Sequence, residues 1–249
     1  MPPLAFRCLT ATVLLAVVCS ASAAPPGSCS ASSGPTITPV IELYTSEGCS
    51  SCPPADKWAS SLKGKGLVVQ AFHVGYWDSL GWVDRFAAPA YTGRQREIAA
   101  KNRLRSIYTP QAVLNGKDWS RWGGLPHSQE PARAHITLQQ LGADHFEASV
   151  TPVAGAQNAG AWSAYWTVTE HGHNSKVLAG ENSGEFLQHD FVVRQYTPAG
   201  DYKSNDKVPQ KLGFRSIAPT PGHERQVNLV VFDPQTGSTL QAVSLQCPA

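Results

Sequence analysis

Two cysteines set a helical turn apart, in Cys49-Ser50-Ser51-Cys52, are the side chains whose type and spacing best fit chemistry in this chain. A strand-like run, Val40 to Thr45, ends just before them, and Pro53-Pro54 opens a helical segment just after. Proline suits a helix's first turn, where its missing N–H costs nothing. A cysteine at such a helix start meets unpaired backbone N–H groups and the positive end of the helix dipole. Both favour the thiolate, the nucleophile of thiol–disulfide exchange. The second cysteine can reach back and close a disulfide, so Cys49 is expected to attack and Cys52 to resolve. Glu47 opposes a thiolate at Cys49 and no basic residue adjoins the motif, so activation is expected to be moderate. Zinc sites also use C-x-x-C, but the sequence holds no second such pair.

Other side chains could serve this pair. His73, Tyr76, Trp77, Asp78, Trp82, Asp84 and Phe86 form a polar and aromatic stretch after the second apolar run. His73, Asp78 and Glu47 are the candidates for proton transfer, because a resolving thiol needs an acceptor for its proton. The plainer reading is that the aromatics pack and the aspartates cap turns. Arg94 and Gln95 fit a carboxylate or a peptide backbone equally as well as a surface ion pair and a cap. His171, His173, His189, Asp190 and His223 read as surface and turn residues, with no sign that they converge, so no metal site is expected. Asn182-Ser183-Gly184 reads as a turn.

The elements that must position these residues are legible in part. Val40–Thr45 and Leu67–Val74 are apolar without alternation, as in strands buried on both faces. Residues 55–62 and 87–104 have helical character, the latter with Tyr91 and Ile98 on one face. A strand from Gln111 to Leu114 leads into Asn115-Gly116, a strong hairpin signal. Ser128 and Pro131 predict a last helix, to about Leu138. Beyond Gly142, runs at 146–150, 162–169, 191–196, 226–232 and 239–245 alternate with turn residues, the pattern of an antiparallel β-sandwich.

Composition limits the class of protein. At 42% hydrophobic and 15% charged residues the chain can bury a core. A formal net charge of +2 without a basic stripe gives no footing for nucleic acid. Arg7, the apolar run Leu9–Val18 and Ala21-Ser22-Ala23 make a signal peptide over residues 1–23, too short to span a bilayer. Val18 before Cys19 speaks against a lipoprotein. The mature chain is then periplasmic or secreted, with no membrane span, and begins with a Pro/Gly/Ser-rich linker over residues 24–35. Export leaves Cys29, Cys49, Cys52 and Cys247, an even number in an oxidising compartment. With Cys49 and Cys52 paired by spacing, Cys29 and Cys247 remain for a structural clasp, unless both sit apart on frayed ends.

The segment ELYTSEGCSSC resembles the first strand and active-site loop of glutaredoxins, and Thr109-Pro110 before a strand is similar to the cis-proline loop of thioredoxin-fold proteins. That resemblance implies a cis Thr109–Pro110 bond and a substrate groove at Tyr108, Thr109 and Pro110. YTSEGCSSCPPAD, FHVGYWDSLGWVDRF, TGRQ, YTPQAVLNG and GENSGEFLQHDFVVR are similar to an exported bacterial family, domain of unknown function 1223, regarded as thioredoxin-like. The aromatic insertion and the Ser50-Ser51 dipeptide depart from well-characterised oxidoreductases.

The expected architecture is an α/β thioredoxin-like domain over residues 36–140, followed by a β-rich, antiparallel β-sandwich domain over residues 141–249. The expected function is thiol–disulfide exchange with protein or small-molecule disulfides and thiols, with no cofactor. Three rivals stand beside it. A copper-handling protein would use Cys49, Cys52 and His73 as ligands. A binding module would use the disulfide only as a staple. A peroxidase-like thiol enzyme lacks an activating arginine beside Cys49.

Overall fold

The computed structural model describes residues 29–153, 161–203 and 209–247. The expected signal peptide lies outside the described residues. The chain opens with β1 (Ser30–Ser32), β2 (Val40–Thr45), α1 (Pro53–Ser60), β3 (Val68–His73), a short 3-10 helix (Asp78–Leu80), α2 (Pro89–Lys101), β4 (Gln111–Leu114) and β5 (Lys117–Asp118). Strands alone follow: β6 (Ala134–Gln140), β7 (His145–Pro152), β8 (Ala161–Glu170), β9 (His173–Lys176) and β10 (Phe186–His189). The last four are β11 (Val192–Lys203), β12 (Gln210–Arg215), β13 (Arg225–Phe232) and β14 (Thr239–Leu245).

The expected α/β thioredoxin-like domain followed by a separate β-sandwich is corrected by this arrangement. The chain is mostly β, with fourteen strands against two α-helices among the described residues. Strands from both halves join in one eight-stranded mixed sheet of order β14-β13-β8-β11-β3-β2-β4-β5. The join is β11, which pairs parallel to β3 at Val192–Ala71 and antiparallel to β8 along most of its length. A strand edge with free N–H and C=O groups is completed by any strand that can reach it. Here the second half of the chain supplies that strand, so the sheet runs across the boundary expected at residues 140/141.

A four-stranded sheet, β1-β6-β7-β12, faces β8, β13 and β14 over one apolar core that holds Ile136, Leu138, Val150, Trp166, Leu229 and Leu240. The expected helix at 128–138 is also corrected, because its second half, from Ala134, is the strand β6 and no helix forms before it. Ala134, Ile136 and Leu138 are buried while His135, Thr137 and Gln139 are exposed, a period of two that only a strand can satisfy. The clasp forms: Cys29 is bonded to Cys247, 218 residues away in sequence.

The local signals around the cysteines match the structure. β2 pairs parallel with β3 and antiparallel with β4, and all six residues of both β2 and β3 are buried. Asn115 and Gly116 turn the chain into β5 with φ of 49° and 80°, as a two-residue hairpin requires. Where β2, α2 and β8 meet, Arg94 forks onto the Glu42 carboxylate at 2.7 and 2.6 Å. Tyr44 and Tyr165 donate to the same carboxylate, and the Arg94 guanidinium lies 4.0 Å from the centre of the Tyr165 ring. This buried pair ties the two halves together.

Candidate functional site

Cys49 and Cys52 are joined in a disulfide. Cys52, rather than Cys49, is the N-cap of α1, and Pro53 and Pro54 occupy its first turn. Cys49 stands one turn earlier, its N–H donating to Ser46 O at 3.2 Å and its carbonyl accepting from Cys52 N at 3.1 Å. The helix therefore presents its N-terminal end to the pair as a whole. Cys49 is 1% exposed and Cys52 0%, while Ser50 and Ser51 face solvent.

The loop is closely held. A Cβ on Gly48 would fall 2.9 Å from Trp77 Cβ, so only glycine fits there. Trp77 donates from Nε1 to Thr109 Oγ1 at 2.8 Å, which links the cysteine loop to Thr109-Pro110. That peptide bond is cis, as the resemblance implies. Tyr108 is exposed and donates its hydroxyl to Asp118, while Thr109 and Pro110 are half-buried.

Beside the disulfide lies a buried cluster of ionisable groups that sequence reasoning found only in part. Glu47 and His73 are both buried, as are Asp56, Asp84 and His189. His73 Nδ1 is 2.7 Å from Asp84 Oδ2, which also accepts from the Glu47 N–H at 2.9 Å. Trp82 Nε1 donates to Glu47 Oε2 at 2.7 Å. Asp56 follows Cys52 by one helical turn, its N–H donating to Cys52 O. His189, from β10, stands between Glu47 Oε1 at 3.4 Å and Asp56 Oδ2 at 3.7 Å, with neither ring nitrogen in a well-formed hydrogen bond. Its ring packs 4.9 Å from that of His73.

The cluster splits its carboxyls. Burial opposes ionisation of Glu47, but the side chains of His189, Ser175 and Trp82 bring its pKa below the ordinary 4.5. Burial dominates at Asp56, against the attraction of His189 and His73, and raises its pKa above 3.8. Burial disfavours charge on both His73 and Asp84, yet each stabilises the other. His73 is raised above 6.5 and Asp84 lowered below 3.8.

A pH window follows from that pair. The His73 contribution is complete below its unfolded value and lost as pH rises through its raised folded value; the Asp84 contribution is complete above its unfolded value and lost as pH falls through its lowered one. Their mutual attraction is therefore complete between 3.8 and 6.5. The stability gap between the wild type and Asp84→Asn is expected to be widest there and to narrow as pH rises beyond it. Denaturant melts over about pH 5–9 measure this, and a constant gap would contradict the assignment.

The β9–β10 hairpin closes over the cysteine loop. Asn182 Nδ2 donates to the carbonyls of Glu47 at 2.8 Å and Cys49 at 3.0 Å. Glu181 accepts from Ser50 N at 3.0 Å and Ser50 Oγ at 2.8 Å, which lowers its pKa.

The remaining sequence candidates lie elsewhere. Asp78 is half-buried and accepts from Asp84 N through Oδ1, a turn contact. Arg94 and Gln95 are buried rather than superficial. Arg94 takes the internal Glu42 carboxylate, and Gln95 donates to the Tyr108 carbonyl and to Gln111. His173 and His223 stack with ring centres 3.9 Å apart beside Glu170, and His171 approaches Asp190. Among the described residues no group of three or more His, Cys, Asp or Glu is arranged to hold a metal ion. No helix of the described residues is long and apolar enough to cross a membrane. A cavity of about 620 Å³ opens beside the clasp, lined by Phe146, His223, Arg225 and Cys247, and does not include the Cys49–Cys52 pair.

Comparison with known proteins places the chain. The model of a protein family of unknown function, DUF1223, matches residues 40–232, and the chain belongs to that family. A crystal structure of a protein from Agrobacterium tumefaciens is similar with a TM-score of 0.61 and 21% identity, covering 84% of this chain and 94% of that one. HBP35 of Porphyromonas gingivalis is similar with a TM-score of 0.55 and 14% identity, covering 85% of this chain and 76% of that one. At these identities the likeness concerns the fold. No curated protein is significantly similar in sequence.

Proposed function

We propose that this member of the DUF1223 family is an exported thiol–disulfide oxidoreductase acting on protein or small-molecule thiols and disulfides. The observation that carries the reading is the Cys49–Cys52 disulfide at the start of α1, set beside buried Glu47, Asp56, His73, Asp84 and His189. An inert staple needs no ionisable surroundings, whereas a disulfide that opens takes up two electrons and two protons. The two disulfides are compatible with an oxidising compartment.

In this reading a partner thiolate attacks Cys49 Sγ, and the S–S bond breaks with Cys52 leaving as a thiolate. Cys52 then takes a proton from the cluster. Asp56 is the assigned donor, because it lies one turn on from Cys52 and its raised pKa favours the protonated form. A second partner thiolate attacks the mixed disulfide and releases Cys49. The partner is oxidised by two electrons and the chain reduced by two. Run backwards, the same steps reduce a partner disulfide, with Asp56 accepting the Cys52 proton. Tyr108, Thr109 and Pro110 would flank the incoming chain and hold it by backbone pairing.

One observation favours a second reading. Both sulfurs are buried, as in a structural staple. The reduction midpoint of the pair separates the two. A working pair lies between about −120 and −270 mV, and structural disulfides lie below about −300 mV.

A further inference from the structure

Resting on the redox reading, we infer that the tip of the β9–β10 hairpin, residues 178–184, is a lid that must lift before any partner reaches Cys49. An attacking thiolate has to meet the Cys49 sulfur along the S–S axis, and a residue 1% exposed offers no such approach. The closed state is thus a resting state.

The hairpin is built to come away locally. β9 and β10 pair only with each other, as a two-stranded sheet outside both larger sheets. Lifting its tip therefore breaks no ladder bond of the eight-stranded sheet. Gly180 and Gly184, with φ of 74° and 90°, bracket the tip in left-handed conformations that glycine adopts freely. Ser183, Gly184 and Glu185 are exposed, so the far side of the tip meets solvent.

The fastening is polar and incomplete. Asn182 is the buried latch, with two hydrogen bonds to backbone carbonyls of the cysteine loop. Glu181 adds two more to Ser50, in full contact with water. The hairpin's inward face is mixed, with His173, Ser175 and His189 beside the apolar Val177 and Leu187. Glu47 Oε1 and both ring nitrogens of His189 are buried there without a well-formed hydrogen bond, His189 standing 3.4 Å from Glu47 and 3.7 Å from Asp56. Buried polar groups that lack partners penalise the closed state relative to one that water can enter. Such an interface closes without locking.

The test is the rate at which a phosphine reductant, tris(carboxyethyl)phosphine, opens each disulfide of the full mature chain, read by alkylation and peptide mass spectrometry. Asn182→Ala removes the latch and is expected to speed reduction of Cys49–Cys52 about tenfold, with the rate at Cys29–Cys247 unchanged. Glu181→Gln, whose contacts are exposed, is expected to give a smaller rise of about twofold. An unchanged Cys49–Cys52 rate in folded Asn182→Ala overturns the lid. Hydrogen exchange of the wild type gives a check that needs no variant. The amides of residues 47–52 and 178–184 should exchange together and faster than those of β2, and protection equal to that of β2 would overturn the lid as well. The lid is read from rates and local opening, and the redox reading from an equilibrium midpoint, so either can fail alone.

Discussion

Cys49→Ser is expected to bring disulfide exchange down to the uncatalysed background, while Cys52→Ser keeps the first step and loses the second. The two cysteines are not equivalent in place. Cys52 caps α1 and is wholly buried, whereas Cys49 sits a turn ahead, in the segment that carries the exposed Ser50 and Ser51. A partner arriving over Ser50 and Ser51 meets Cys49 first. A serine there leaves no sulfur to attack or be attacked, and an alcohol is far from ionised near neutral pH, so no exchange remains. In Cys52→Ser the free Cys49 thiolate can still open a partner disulfide. The mixed disulfide then persists, because no second sulfur is placed to release it. Single-turnover assays with a model disulfide, followed by non-reducing electrophoresis, should show no adduct for Cys49→Ser and a stable one for Cys52→Ser. Adduct formation through Cys29 or Cys247 instead, or equal activity in both variants, would contradict the assignment.

Arg94→Ala is expected to destabilise the fold by about 3–5 kcal/mol, the cost of breaking a buried ion pair by removing one partner. The fork of Arg94 on Glu42 sits in the core with Tyr44, Tyr165 and Tyr196 around it, and deleting the guanidinium leaves the buried Glu42 carboxylate without its charge partner. The variant also loses the contact with the Tyr165 ring at 4.0 Å, and with it a tie between α2 and β8. The double variant Glu42→Gln, Arg94→Met removes both charges and should recover most of that loss, since a buried pair replaced as a whole costs little. Chemical denaturation of the three proteins measures this. A loss below about 1 kcal/mol in Arg94→Ala would place the pair among those that contribute nothing net.

The elements nearest the cysteines were legible because their signals are local. Val40–Thr45, the two prolines after Cys52 and Asn115-Gly116 each determine their own backbone within a few residues. What the sequence hides is non-local. Nothing in Val192 or Ala71 announces that β11 will lie parallel to β3, and that single pairing merges the two expected domains into one sheet. At 128–138 the capping signal of Ser128 and Pro131 masks the alternation of Ala134, Ile136 and Leu138, which packing against the facing sheet of β8, β13 and β14 rewards.

The site divides in the same way. Cys49, Cys52, Glu47 and His73 lie in or near the motif and were found there. Asp56 is hidden by its position in α1, where an acidic residue in a first turn needs no further explanation. His189 comes from the opposite end of the chain, and its strand partner His173 points the same way, so two inward histidines resembled a polar surface. The usable clue was their spacing: His173, Ser175 and Val177 alternate, as do Leu187 and His189, with every inward position buried.

The measurement that bears most directly on the account is a redox titration of the mature protein in glutathione and dithiothreitol buffers, with both disulfides followed in the same sample. The account predicts a reversible Cys49–Cys52 midpoint between about −120 and −270 mV, well above that of the Cys29–Cys247 clasp. A Cys49–Cys52 bridge that stays closed below about −300 mV, alongside the clasp, would contradict it and leave the pair a staple.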